Sequence, residues 1–203
     1  MSKLSTKFYD QPDVVNVARL LIGKIVVTTF DDKITSGRIV ETEAYVAFTD
    51  KASHAFDGKR TARNEHMYAA AGTAYVYICY GMHQMLNVVT NKKEIPDAVL
   101  IRALEPLEGI DTMLERTGKP KLDYTLTKGP GNVAKALGIF KKHSGSLLTG
   151  KDMYIREDKN NIIFPGQIAV SKRIGIAYAA EDANLPYRFF LMGSKFVSGK
   201  KSQ

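Results

Sequence analysis

The sequence predicts a single α+β domain, and three observations support this. Strand patterns lie before and after a central pair of helix patterns instead of alternating with them. The chain has 203 residues, of which 44% are apolar and 25% charged, a balance typical of one globular domain of ordinary size. No repeat, low-complexity tract or linker rich in Pro, Gly or Ser divides it. Residues 1–203 are therefore expected to form one domain.

The first predicted elements are a short helix and two strands. The helix begins at Pro12 and ends at Gly23. Strands over Lys24–Phe30 and Ile34–Tyr45 follow, joined by a turn at residues 31–32. The apolar stripe expected on the helix consists of Val14, Val15, Ala18 and Leu21.

The second strand also carries candidate catalytic groups. Strict alternation along GRIVETEAY places four side chains on one face, namely Ile39, Glu41, Glu43 and Tyr45. Two carboxylates and an aromatic ring then point in one direction, as a site for acid and base chemistry requires. Ordinary charges on a solvent-facing strand edge have the same pattern, so the spacing alone leaves both interpretations open.

The segment GTAYVYICYGMHQMLN, residues 72–87, predicts a β-hairpin. Tyr75–Cys79 and Met85–Thr90 are rich in strand-forming residues, and Gly81 can adopt the positive φ of a tight turn. Tyr80 lies at the predicted tip. Alternation puts Tyr75, Tyr77 and Cys79 on one face, either as strand residues that cover a core or as an aromatic surface for stacking.

The middle of the chain combines loop, helix and strand patterns. Val46–Ala71 is expected to be a loop that becomes helical over Ala62–Ala70. Ala98–Leu104 predicts a strand, and its single arginine, Arg102, needs a buried or site-facing anion. Glu105–Arg116 resembles the first turns of a helix.

A second helix pattern, AKALGI, follows the turn Lys128–Asn132. We interpret this KGPGN turn as a helix start, because it lacks the spacing and the GK[ST] ending of a phosphate-binding loop. The remaining chain predicts three short strands and a frayed basic tail. These are Met153–Arg156, Gln167–Ile176, Tyr187–Met192 and the tail Lys195–Gln203.

Charge and cysteine content limit the function classes. A net charge of +8 and a pI near 9.4 favour a polyanionic partner such as nucleic acid, although a merely basic protein has the same balance. Cys79 is the only cysteine, and His54, His66, His83 and His143 lack metal-motif spacing, so no metal site is expected. Without an apolar signal core or a run of 18 apolar residues, a cytoplasmic protein with no membrane partner is expected.

Six segments in this order resemble the alkyladenine (3-methyladenine) DNA glycosylase family. They are GRIVETEAY, TARNEHM, GTAYVYICYGMHQMLN, LIRALEPLEG, the KGPG turn and SKRIGI. The resemblance covers about Phe8 to Ser198. It implies a single compact α+β domain around a curved antiparallel β-sheet with flanking helices, from which the tyrosine hairpin protrudes into the minor groove of double-stranded DNA.

The resemblance also implies roles for particular residues. Glu43, and not Glu41, matches the general base that activates water, while Arg102 and the backbone around Ile176 help to place the water and the nucleotide. The walls of the base pocket match Tyr45, His54 and Tyr77. Asn87 matches the residue that crowds the amino group of guanine. At the hairpin tip, Tyr80 matches the side chain inserted into DNA, and Met82 matches its neighbour.

The activity implied is that of a monofunctional DNA N-glycosylase of base excision repair. Such an enzyme flips a damaged purine out of duplex DNA, hydrolyses its N-glycosidic bond and leaves an abasic site, without metal or organic cofactor. The substrates are alkylated or deaminated purines of the 3-methyladenine, 7-methylguanine, hypoxanthine and ethenoadenine class. A cytoplasmic, nucleoid-associated monomer is expected.

The sequence leaves open which lesions are preferred, and it leaves two alternatives to the glycosylase function. His83-Gln84 and the Asn91–Pro96 loop depart from the animal members of the family, which leaves the lesion preference open. The tyrosines could instead form the stacking platform of a catalytically silent nucleic-acid-binding module. An RNA-acting enzyme with the same basic surface is the second alternative.

Overall fold

The computed structural model describes residues 2–199 and confirms the predicted α+β class. The strands are β1 (Ile25–Phe30), β2 (Lys33–Tyr45), β3 (Ala74–Cys79), β4 (His83–Thr90), β5 (Asp97–Glu108), β6 (Met153–Arg156), β7 (Ile168–Ser171) and β8 (Arg188–Leu191). The α-helices are α1 (Thr6–Tyr9), α2 (Val14–Leu21), α3 (Ile110–Thr117) and α4 (Pro130–Leu137). Short 3₁₀ helices lie at Glu65–Tyr68, Lys141–His143, Pro165–Gln167 and Ala177–Asn184.

β2 is the strand on which the antiparallel sheet is built. The sheet order is β3-β4-β5-β2-β1-β6, and β8 pairs with both β2 and β7. The first part of β2, residues 33–38, pairs with β1, whereas residues 41–43 pair with β8. Because two different strands share one edge of β2, the sheet curls into a half-barrel, which agrees with the predicted curvature.

A β-bulge in β2 corrects the predicted alternation. Ile39 pairs with Leu104 and Glu41 with Ala103, so Val40 is an extra residue without an opposite partner. Ile39 consequently packs in the main core, and the prediction that it shares a face with the two glutamates is wrong. Beyond the bulge the alternation holds, because Glu43 bonds to Tyr45 and both glutamates bond to one arginine.

The main core lies between the sheet and the helices α2 and α4. α2 begins at Val14 and not at Pro12, because the side chain of Asp13 caps the helix by accepting from the amide of Asn16. Val17, which the predicted stripe omitted, is fully buried, whereas Val15 is only partly buried. The buried residues of α4 are Val133, Ala134, Ala136 and Leu137.

The predicted tyrosine hairpin is confirmed as β3 and β4. Its tip consists of residues 80–82, and β4 begins at His83, two residues earlier than predicted. Tyr80 and Gly81 have φ values of 50° and 73°, as a mirror-image hairpin turn requires. The side chains at the tip project into solvent, since Tyr80 is 85% and Met82 71% exposed.

Two predicted helices and one predicted strand are shorter than expected. The helix over Ala62–Ala70 is reduced to a 3₁₀ turn. The pattern Glu105–Arg116 begins as strand, because β5 keeps pairing with β2 as far as Glu108. The strand Gln167–Ile176 ends at Ser171, after which the chain leaves the sheet.

The C-terminal segment is better anchored than predicted. Val197 and Ser198 are buried, and the amide of Ser198 donates to Glu41 across 2.7 Å. The prediction of a frayed tail is therefore wrong as far as Ser198, and residues 200–203 lie outside the described residues.

That residues 1–203 form one domain stays a prediction. Within residues 2–199, no helix has the length and apolar character needed to cross a membrane.

Candidate active site

A cavity of about 830 Å³ opens between the tyrosine face of the hairpin, the loop after β2 and the segment 174–178. The structure brings most of the sequence-predicted site residues to this cavity. Those that line it are Tyr45, His54, Tyr77, Tyr80, Asn87, Arg102 and Ile176. Its wall is therefore mainly aromatic on the hairpin side.

Glu43 lies directly behind the wall of the cavity. The side chain is fully buried, and three of its neighbours that line the cavity donate hydrogen bonds to its carboxylate. Oε1 accepts from the amide of Ile174 at 2.7 Å, and Oε2 accepts from Tyr45 Oη at 2.9 Å and from Arg102 Nη1 at 3.1 Å. Glu43 itself does not line the cavity, and its described connection to the cavity is through Tyr45, Arg102 and Ile174.

Opposing effects act on the pKa of Glu43. Burial raises the pKa, because the charged form loses hydration. The charge of Arg102 and the hydrogen bonds from Ile174 and Tyr45 lower it, but the net pKa stays above its usual range. The raised pKa makes the Glu43 carboxylate a stronger base than a solvent-exposed one, and only its ionised form can accept a proton.

Arg102 links the two glutamates of β2. Its guanidinium donates from Nε to Glu41 at 3.0 Å, from Nη1 to Glu43 at 3.1 Å and from Nη2 to Ser198 Oγ at 3.2 Å. The prediction that an arginine in this apolar strand meets an anion is confirmed, and two carboxylates serve as that anion. Charge and geometry together hold the Glu43 carboxylate in place.

Glu41 is fully buried, but all its described contacts are internal. Its carboxylate accepts from Arg102, from Arg188 Nε at 2.7 Å and from both the amide and the hydroxyl of Ser198. The interpretation of Glu41 and Glu43 as a solvent-facing strand edge is therefore wrong. Glu41 anchors β5, β8 and the C-terminal segment to β2.

His54 and the hairpin tyrosines form one aromatic wall of the cavity. His54 Nδ1 lies 2.9 Å from the hydroxyl of Tyr75, and the His54 ring meets the Tyr77 ring edge-on at 4.6 Å between centroids. Burial, with the charges of Arg63 and Lys59, lowers the pKa of His54 to about 4. The imidazole is consequently neutral at physiological pH.

Asn87 and Ile176 both line the cavity, and both are buried against neighbouring groups. Asn87 is 4% exposed, and its Nδ2 donates to the carbonyls of Tyr75 and Met85, both at 3.2 Å. Ile176 is buried against Ala52 at the start of a 3₁₀ helix. Two lining residues of the cavity are thus held in place by contacts with their own surroundings.

Sequence reasoning missed several residues of the buried network. Arg188 begins an apolar strand. The same pattern, an arginine in an apolar strand, drew attention to Arg102 and could have drawn attention to Arg188 as well. Ser198 lay in the tail that was expected to be frayed. Asp50 and Arg173 form a buried ion pair. Asp50 lies in a predicted loop, and although Arg173 lies in the SKRIGI segment, nothing in the sequence pointed to their pairing.

Metal-binding residues do not group together in the part of the chain that the structure describes. No three His, Cys, Asp or Glu side chains among residues 2–199 lie close enough to hold an ion. His66 contacts Ser144, and His143 stacks on Phe30, both away from the cavity. That the chain uses no metal stays a prediction.

Comparison with known proteins gives concordant matches. Residues 7–195 match the family model for methylpurine-DNA glycosylase (MPG). The chain is 42% identical over 207 residues to a Desulfitobacterium hafniense (strain Y51) protein named "Putative 3-methyladenine DNA glycosylase", covering 98% of this chain and 100% of that one. The chain is also similar to two other proteins of the same name. The one from Chlamydia pneumoniae is 44% identical and covers 93% of this chain and 94% of its own length. The one from Clostridium perfringens (strain 13 / Type A) is 41% identical and covers 98% of this chain and 100% of its own length.

Proposed function

Because the chain belongs to the methylpurine-DNA glycosylase family, we propose that it excises alkylated or deaminated purines from double-stranded DNA with a water activated by Glu43. As a member it is a DNA glycosylase, a DNA-binding hydrolase that cleaves the N-glycosidic bond in DNA repair. The proposed substrates are 3-methyladenine, 7-methylguanine, hypoxanthine and ethenoadenine bases. The product is an abasic site in an otherwise intact strand.

One observation carries this proposal. A fully buried carboxylate, Glu43, lies behind an aromatic cavity and receives three hydrogen bonds from groups that line it. Burying a charge is unfavourable unless hydrogen bonds and an opposite charge offset the loss of hydration. Such an arrangement suits a base that must take a proton from water at one defined place.

The cavity supports recognition of a purine outside the helix. Water cannot reach the glycosidic carbon of a stacked base, so the nucleotide has to rotate out of the duplex. The rings of Tyr45, Tyr77 and His54 offer faces and edges to a flipped purine, and stacking on an aromatic ring is worth about 1–3 kcal/mol per base. A positively charged alkylated purine gains a further cation–π attraction.

The hairpin tip suits insertion into the minor groove. Tyr80 and Met82 are highly exposed although both are apolar or aromatic, and they lie on a tight turn beside the cavity mouth. We propose that Tyr80 fills the gap left by the flipped nucleotide and that Met82 contacts the adjacent base. The net charge of +8 supports binding to the phosphates.

The proposed chemistry needs one carboxylate. Water attacks the anomeric carbon of the sugar, the bond to the purine nitrogen breaks, and Glu43 accepts the proton of the water. A cationic alkylated purine leaves as a neutral base and needs little acid assistance, whereas uncharged hypoxanthine or ethenoadenine takes up a proton from solvent as it leaves. The ionised carboxylate also stabilises the oxocarbenium-like transition state. No step requires a lysine nucleophile, a metal or an organic cofactor.

We also propose that the enzyme acts as a monomer, and that it is cytoplasmic and associated with the nucleoid through DNA.

The test is a base-release assay on duplexes that each carry one lesion from the four proposed. Under single-turnover conditions, the protein should release free base and leave a site that alkali cleaves, with no strand break before alkali. Glu43→Gln should bind the same duplex without releasing base. Retention of duplex without release by the natural chain would instead indicate a silent binding module, and release from RNA alone would indicate an RNA enzyme.

A further inference from the structure

We propose that the buried ion pair of Asp50 and Arg173 is a positioning element that holds the amide of Ile174 against Glu43. The inference rests on the proposed role of Glu43 as the general base. Neither Asp50 nor Arg173 lines the cavity, so their effect on the reaction would pass through their neighbours Ile174 and Tyr45, which do.

Both terminal nitrogens of the Arg173 guanidinium are held by hydrogen bonds, whereas its buried Nε has no partner among the described residues. Its side chain is fully buried and makes a bidentate contact with Asp50, through Nη1 to Oδ2 and through Nη2 to Oδ1 at 2.8 Å. The same guanidinium donates to the carbonyl of Ala44 at 2.9 Å and to the carbonyl of Asp182 at 3.1 Å. It also lies 4.8 Å from the centroid of the Tyr45 ring.

These contacts join the two backbone segments that meet at Glu43. Ala44 lies between Glu43 and Tyr45 on β2, while Arg173 directly precedes Ile174. The Arg173 side chain thus connects β2, which carries Glu43, to the segment that contains Ile174. The amide of Ile174 donates to the Glu43 carboxylate at 2.7 Å. Without this tie, the segment after β7 has no strand partner to hold it, since β7 ends at Ser171.

Asp50 extends the same support to the loop that forms the floor of the cavity. Oδ1 accepts from the amide of Ala52 at 2.9 Å, and Oδ2 accepts from the amide of Val46 at 3.3 Å. Burial of an ion pair is weak evidence for a contribution to stability, because desolvation opposes the Coulomb attraction. Orientation of the groups around Glu43 is the role that this geometry supports.

The proposed role has a consequence for the pH dependence of excision. The ionisable groups that face Glu43 are Glu41, Tyr45, Arg102, Arg173 and Tyr178. The Ile174 amide and the Tyr45 hydroxyl are the uncharged donors among its partners, and each hydrogen bond favours the carboxylate form. Loosening the Ile174 bond while all charges are kept should therefore raise the pKa of Glu43.

The variant that tests this is Arg173→Lys, because lysine keeps the charge but cannot make the bidentate contact. We expect the acid limb of the single-turnover rate to move upward by roughly half to one pH unit, and the plateau rate to fall about tenfold. Affinity for lesion duplex should change by less than about threefold. Arg38→Lys is the control, since Arg38 also donates two hydrogen bonds to one aspartate, Asp158, in a mostly buried site and pairs with Glu105, but does not line the cavity or contact Glu43. It should leave the pH profile unchanged.

An Arg173→Lys protein that is folded and shows the pH profile and plateau of the natural chain would overturn the inference. If that variant does not fold, the Ile174 amide of the natural chain provides the test by NMR. Its chemical shift should titrate with the midpoint of the acid limb, and Glu43→Gln should abolish that titration. An Ile174 amide that does not respond would overturn the inference while Glu43-dependent excision stands. Absence of base release by the natural chain would count against the proposed function itself.

Discussion

The hydroxyl of Tyr45 donates a hydrogen bond to Oε2 of Glu43 across 2.9 Å. The two residues lie two positions apart on β2, so strand alternation brings them to one face. Burial and the adjacent charge of Glu43 hold the pKa of Tyr45 well above its usual range, so the phenol stays protonated and remains a donor. Tyr45 thus combines a ring on the cavity wall with a hydroxyl that favours ionised Glu43.

Tyr45→Phe should separate these two functions. The ring remains, so affinity for lesion duplex should change little. Loss of the hydroxyl removes a contact that lowers the pKa of Glu43, so this pKa should rise and the acid limb of excision should move upward by up to about one pH unit. Single-turnover rates between pH 4 and 8 measure this shift. A downward shift would show that the hydroxyl does not support the carboxylate.

Glu43→Gln should bind lesion duplex but excise base about 10²- to 10⁴-fold more slowly, the range for loss of a general base. The amide keeps the shape of the side chain but cannot accept a proton from water. Single-turnover release of hypoxanthine measures the rate, and fluorescence anisotropy measures the binding. A rate within a few fold of the natural chain would remove Glu43 from the mechanism.

Glu41→Gln is the matched control for Glu43→Gln, because both glutamates are fully buried on the same strand. Removing the charge leaves Arg188 without its carboxylate, so the free energy of unfolding should fall by about 3 kcal/mol, as for a broken buried ion pair. Excision per folded molecule should fall by less than about tenfold, since Arg102 keeps its bond to Glu43. Urea denaturation gives the stability, and a larger rate loss than in Glu43→Gln would show that the base was misassigned.

Local patterns predicted the parts of the fold and the candidate site that depend on neighbouring residues. Period two was enough to place Glu43 beside Tyr45, and an arginine in an apolar strand predicted the anions around Arg102. The bulge that turns Ile39 into the core depends on the partner strand β5, so no local pattern reveals it. The same holds for Asp50 and Arg173, which are 123 positions apart in the sequence.

Binding to undamaged duplex should weaken steeply with salt. A basic protein of net charge +8 releases counterions from the DNA, and the logarithmic slope should be about 0.9 for each phosphate neutralised. Equilibrium binding between 50 and 300 mM salt, roughly the range over which such slopes are resolved, measures it. A flat dependence would show that the lysines are solvated surface groups without a role in DNA binding.

Tyr80→Ser should reduce the fraction of flipped, excision-ready complex but leave most of that salt slope unchanged. Tyr80 is expected to contact bases and not phosphates, because it lies at the exposed tip of the hairpin. A fluorescent base analogue at the lesion reports flipping. Tyr124→Ser is the control, as Tyr124 is exposed but packs against Phe196 away from the cavity. A normal flipping signal in Tyr80→Ser would exclude the wedge role.

Asn87→Ser should relax discrimination against guanine. An aromatic cavity binds the face of any purine, so a group at the base edge has to exclude the 2-amino group that guanine has and hypoxanthine lacks. Asn87 is suited to this role, because hydrogen bonds to the carbonyls of Tyr75 and Met85 prevent its side chain from moving aside. Serine is shorter and opens that space. The ratio of excision of 7-methylguanine to that of hypoxanthine should rise about 5- to 150-fold, corresponding to roughly 1–3 kcal/mol of base-edge discrimination.

Parallel single-turnover assays on the two duplexes measure this ratio for Asn87→Ser and for the natural chain. Asn132→Ser is the control, because Asn132 is exposed near the start of α4 and does not line the cavity. Since both duplexes are compared on the same protein, a general loss of activity or stability cancels in the ratio. An unchanged ratio in Asn87→Ser would mean that guanine is excluded elsewhere, and Ile176, which also lines the cavity, would then be the next residue to vary.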